Sequence, residues 1–225
     1  MTFKEINTEG VGRFTAQQFI KSYELLKSDG NVEIEGNSVI RNNIYSDFLN
    51  FGLIGFDFKI KDIVRSVLDG ALVYFIYMEI IVPKYYNPGS LDATTEISRY
   101  QVAGYAKLNM DCGNFIVRPK EGEDKIRASL NRFFKKGLLK SDRRYNLFYD
   151  NYLIQGDKLA FEHFASPETK KEMLKMKNFN LFVKGDTLIA GMIENFRVEN
   201  VLALSSFFKT IDNISDVWVQ NDTHS

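Results

Sequence analysis

The sequence predicts an α+β domain, with a mainly antiparallel sheet of hairpins and amphipathic helices packed on it. Three observations predict this class. Strand-period runs come in pairs around turn dipeptides, as at Asp69-Gly70 and Gly185-Asp186. Helical apolar stripes fall between and after those pairs, and do not alternate strictly with single strands as a parallel sheet requires. No repeat or break in composition divides the 225 residues. Residues 1–225 therefore read as a single domain, with flexible ends at 1–12 and 219–225.

The first helix is signalled by Thr15 as N-cap and Gln18 as its capping-box partner. Phe14 and Phe19 would form a hydrophobic staple around that start. Phe19, Tyr23 and Leu26 share one helical face, and Gly30 ends the helix. The stretch "NVEIEGNSVIRN" reads as a short hairpin turning at Gly36-Asn37. "FDFKIK", Phe56 to Lys61, alternates at the strand period. The run from 63 to 82 is then a hairpin around Asp69-Gly70. Its second arm, residues 71–82, is apolar on both faces and belongs in the covered interior of a sheet.

"KYYNPGSLDATTEIS" is a loop. "RYQVAGYAKLNM" and "NFIVRP" read as strands joined by "DCGN". A helix follows from about 123 to 136, with Ile126, Leu130, Phe133 and Phe134 in its apolar stripe. "RYNLFYDNYLI" reads as a strand and "GDKLAFEHFA" as a short helix. Ser166 as N-cap and Pro167 at the first helical position open the next helix. "FNLFVKGDTLIAGMI" is a hairpin. A last amphipathic helix, about 200 to 213, aligns Val201, Leu204, Phe208 and Ile211.

Composition excludes several functions. The 29 basic and 29 acidic residues cancel, so no whole-molecule field draws nucleic acid or membrane. The longest apolar run, Ala71 to Pro83, is short of the roughly 20 residues a spanning helix needs. The first residues lack an apolar signal core. The expectation is a soluble, cytoplasmic protein.

One segment breaks the neutrality. From Lys125 to Arg144 there are eight cations against Asp142. Lys125, Arg132, Lys136, Lys140, Arg143 and Arg144 form a candidate anion or partner surface. Much of that charge also suits the solvated face and last turn of the helix it lies on. The chain from Gly185 to Ser225 is acidic, six carboxylates against Arg197 and Lys209. A protein partner or a second copy could be steered by such patches. Peripheral membrane contact is a weaker expectation, and nucleic acid is not favoured.

Catalytic signatures are missing. Cys112 sits in a turn, and His163 and His224 are the only imidazoles. A catalytic thiolate needs a base and an electropositive setting. No Cys/His spacing suits a metal, and no phosphate-loop, dinucleotide or hydrolase motif occurs. No catalytic residue, metal or cofactor is therefore assigned. Glu79, inside the covered arm, must pair or neutralise.

Two stretches resemble the halves of an uncharacterised bacterial family of soluble α+β domains. In the first, residues 37–82, a strand and an irregular step precede the Asp/Gly hairpin. The second carries the family's spacing at Tyr145, Phe148, Asp157, Ala160, Pro167, Met173 and Leu174, then a hairpin with Ala190 in its second arm. Many members of that family carry a membrane segment before the domain, which this sequence does not show. The resemblance implies no activity and brings no catalytic residues.

The functional expectation is a non-catalytic binding or protein-interaction domain. The alternatives are an enzyme using carboxylate or tyrosine side chains, and a domain that binds anionic surfaces through residues 125–144.

Overall fold

The two-residue turn at Asp69 and Gly70 sets the largest hairpin. Both residues have positive φ, 49° and 88°, the conformation whose twist matches the flanking strands. This computed structural model describes residues 6–51, 57–84, 95–121, 143–192 and 194–216, with backbone alone at 82–84, 95–96 and 143–146.

The elements are α1 (Arg13–Asp29), β1 (Asn31–Ile34), α2 (Ser38–Asn50), β2 (Asp57–Leu68), β3 (Ala71–Lys84), β4 (Thr95–Lys107) and β5 (Asn114–Pro119). They are followed by α3 (Arg143–Asn151), β6 (Tyr152–Gly156), α4 (Lys158–Phe164), α5 (Pro167–Lys175), β7 (Phe179–Lys184), β8 (Thr187–Met192) and α6 (Val198–Phe208). Among the described residues the strands form one eight-stranded sheet, ordered β1-β2-β3-β4-β8-β7-β5-β6. All neighbours pair antiparallel. The α+β class and the antiparallel sheet are as predicted.

Both faces of β3 are covered. Val73, Phe75 and Tyr77 join one apolar cluster with Phe19 and Leu26 of α1 and Val201, Leu204, Phe207 and Phe208 of α6. Tyr74, Ile76, Met78 and Ile80 join another with Ile40, Ile44 and Phe48 of α2. The period of two sends alternate side chains to opposite faces, so an arm apolar throughout needs cover on both.

Several local expectations change. The helix α1 begins at Arg13 behind Gly12, with no side-chain cap, so Thr15 is not its N-cap. Phe14 is 72% exposed and makes no staple with buried Phe19. The hairpin expected at Gly36-Asn37 is a helix entry. Asn37 accepts a hydrogen bond from Val39 N at 2.9 Å and opens α2. Asn serves hairpin turns and N-caps alike; the stripe Ile40, Ile44, Phe48 decides for helix. The strand expected over 144–154 is α3 up to Asn151, then β6. Tyr145, Phe148 and Tyr149 are spaced i, i+3 and i+4 in the sequence, as a helical face requires, and Phe148 is buried. β-rich composition masks that period.

Residues 6–12 are tied down, unlike a loose end. Ile6 is buried, Asn7 N donates to Asp62 Oδ2 at 2.8 Å, and Tyr100 donates to Gly10 O at 3.1 Å. The helix expected over 123–136, with Phe133 and Phe134, lies outside the described residues.

Candidate functional site

The side chains of the predicted basic surface lie outside what the structure describes. Lys125, Arg132, Lys136 and Lys140 lie outside the described residues. Arg143 and Arg144 begin the backbone of α3.

The buried acids and phenols inside the fold are committed to structure, while the buried hydroxyls of Ser66 and Ser205 have no hydrogen-bond partner among the described residues. Asp62 holds Arg41 at 3.5 Å and accepts the backbone N–H groups of Asn7 and Ile63 at 2.8 and 2.9 Å. Glu79, whose side chain is 12% exposed, pairs with Lys61 at 3.1 Å and accepts from Ser98 Oγ at 2.6 Å. The Ser98 hydrogen bond, then Lys61, holds the Glu79 carboxyl below the usual carboxylate range, against its own desolvation. Tyr105 donates to Asp47 Oδ2 at 2.7 Å. Burial, then Asp47, pushes its phenol far up. Burial also pushes Tyr152 up to about 12 and raises Tyr77. A tyrosine acting as base or nucleophile at neutral pH needs the opposite shift.

Cys112 and His163 do come together, which their 51-residue separation hides. Both line a hollow of about 410 Å³ with Asp111, Asp157 and exposed Met110 and Leu159. The thiol is raised, first by burial and then by Asp111, whereas a nucleophilic thiolate is stabilised by cations. Asp157 caps α4 by accepting from Ala160 N at 2.9 Å. Asp111 accepts from Gly113 N at 2.7 Å. Among the described residues no cluster of three or more His, Cys, Asp or Glu side chains could hold a metal.

A larger opening, among the described residues, lies elsewhere. It forms where β4 outruns β8. Pairing between β4 and β8 covers Ala103 to Lys107, while β4 stays paired with β3 back to Thr95. Residues 194–197 fill part of the gap. Phe196 N donates to Tyr100 O at 2.7 Å, and the Phe196 ring is buried 4.5 Å from the Phe19 ring and 5.3 Å from that of Tyr77. The backbone at Arg197 is extended, φ −141°. With Phe196 inward, Asn195 and Arg197 turn outward.

The result is an opening of about 650 Å³ between the first turn of α1, the start of β4 and the start of α6. Gly12, Phe14 and Thr15 form one wall, Ser98, Arg99 and Tyr100 another. A second hollow of about 510 Å³ adjoins it, sharing Arg99, Asn195 and Arg197 and adding Lys177 and Glu194. Gln18, expected to cap its own helix, instead accepts from Val198 N of α6 at 3.3 Å. Neither α1 nor α6 has an N-cap side chain of its own, so both open their positive dipole ends near this cleft.

Arg99, Lys177 and Arg197 are exposed. Among the described residues each lacks an ion-pair partner, while Arg41, Lys61, Lys107 and Lys170 have one. The acids of the lining are Glu194, which accepts from Asn178 Nδ2 at 3.1 Å, and Glu199 in the first turn of α6. The sequence had shown none of these side chains as a group. They come from four separate stretches, and no local motif joins them. Comparison with family models, with curated proteins and with solved structures finds no match.

Proposed function

We propose that this chain is a non-catalytic binding domain whose ligand site is the cleft between α1, β4 and α6. One observation carries the reading. The cleft, about 650 Å³, and the hollow beside it are lined by cationic side chains that have no ion-pair partner among the described residues, while the acids and phenols within the fold are engaged. Its volume falls in the usual range for small-ligand sites, about 300 to 1,000 Å³. The direction of the tyrosine and thiol shifts supports binding over acid–base or nucleophilic chemistry. Among the described residues no helix is long and apolar enough to cross a membrane. A cytoplasmic setting belongs to the same reading, as a single cysteine suits a reducing compartment.

The test is amide chemical-shift mapping of the full chain against a library of small neutral, cationic and anionic fragments. Shifts should cluster at residues 12–18, 98–101 and 195–199, and bound compounds should come back unchanged. Shifts confined to the Cys112 hollow, or chemical turnover of a bound compound, would reverse the reading.

A further inference from the structure

Resting on that binding reading, we infer that the cleft takes a small ligand joining an anionic oxygen group to an aromatic ring. The anionic group, a phosphate or a carboxylate, is the business of Arg99, Lys177 and Arg197. These cations are 78 and 20 residues apart in order along the chain, and the fold brings them to one hollow. Like charges so placed repel, and an anion between them removes that repulsion. Arginine forks match the planar carboxylate and the phosphate, and they stay charged at every physiological pH.

The ring is placed by Phe14 and Tyr100. Phe14 is left 72% exposed, although α1 buries Phe19 five residues further along. Scattered exposed apolar side chains are ordinary. Phe14, however, lines the same opening as the half-buried Tyr100 and as both arginines. Aromatic faces beside a cationic corner suit a ligand with one flat apolar end and one charged end. The bounded hollow favours a small molecule over a polyanion, which needs a basic track along many repeats. Glu194 and Glu199 temper the charge. That favours one anionic group over several.

The probes are phenyl phosphate, benzoate, inorganic phosphate and phenol, titrated into the full chain by calorimetry with amide shifts as the locator. Phenyl phosphate or benzoate should saturate the cleft about tenfold more tightly than inorganic phosphate, and phenol should not saturate. The order of the first two tells phosphate from carboxylate. Arg99→Gln and Arg197→Gln should each weaken the better probe by about tenfold, the scale of one charge-assisted contact. Phe14→Ala should bring it down to the level of the ring-free anion, and Glu199→Gln should strengthen it. All four side chains are exposed, and an unchanged melting temperature shows that each variant is folded. Binding insensitive to both arginine changes overturns the inference. If neutral or cationic fragments shift the cleft while the aryl anions do not, the anionic assignment fails and the binding reading stands. If no compound of either experiment shifts it, both fail.

Discussion

At Gly104 a side chain is missing because the Phe208 ring occupies its place. A Cβ built there would lie 2.0 Å from Phe208 Cε2. The glycine lets α6 sit close against β4. Gly104→Ala should cost about 1–3 kcal/mol or more, as overpacking of a filled core does. Chemical denaturation measures it, and Phe208→Leu in the same chain should recover part of the loss. Glu79 makes the second prediction at this scale. Its carboxyl is held below its ordinary value by Ser98 and Lys61, so the folded state binds the proton less readily than the unfolded chain. The stabilisation is therefore present above the unfolded value, about 4.3, and is lost as pH falls through the lower folded value. Glu79→Gln should lower stability at pH 7 by about 1 kcal/mol, on the scale of a single ion pair. The difference between the two proteins should shrink below about pH 4. A gap that stays constant from pH 7 to pH 3 would show that the pair does not couple to folding.

The helix α6 is the element on which the fold and the cleft both depend. Val201, Leu204 and Phe207 are each 0% exposed, Phe208 1%, and Ile211 just beyond the helix is 7% exposed. An isolated helix of this length is marginal in water, so packing on α1 and the sheet keeps it formed. Leu204→Ala should lower stability by about 2–5 kcal/mol, the range for a buried leucine. Truncation after Glu199 should abolish cooperative unfolding. A melting temperature unmoved by that truncation would remove the docking claim. The elements also show how far sequence reading reaches. Ser166 caps its helix as its place before Pro167 predicts, accepting from Thr169 N at 3.1 Å. Asn37 was open to two uses, and the choice depended on where Ile40, Ile44 and Phe48 could be buried. Of the strand expected over 144–154 only the part from Tyr152 is strand, because Tyr and Phe favour strands while their spacing up to Asn151 favours a helix.

Across the whole molecule, the sheet joins two groups of strands through the β4–β8 pairing. One group, β1 to β4, follows chain order; the other, β8-β7-β5-β6, does not. The link pairs residues 80 or more positions apart, as at Lys107 and Thr187, and α6 packs across both groups through Phe208 over Gly104 and Phe207 over Phe179. We expect a single cooperative unfolding transition, coincident by circular dichroism and fluorescence. Refolding should be slow, in milliseconds to seconds, because loop closure precedes the contacts that reward it. Two separated transitions would mean that the strand groups fold as independent units.

The sequence by itself determined what a few adjacent residues can decide. The Asp69-Gly70 turn adopts the two positive φ angles that its hairpin requires. The run that follows is apolar on both faces and is buried on both. The fold class follows from such signals, because turn chemistry and side-chain period act within a few residues. Only the tertiary structure decided the strand order, the partner of Gln18 and the meeting of Arg99, Lys177 and Arg197. Those outcomes depend on which apolar faces find each other after long loops close. A strand's local pattern states that it needs a neighbour, and it does not name one. The cleft exists because β4 is longer than the partner that the rest of the chain supplies, a mismatch between two elements that neither one carries in its own residues.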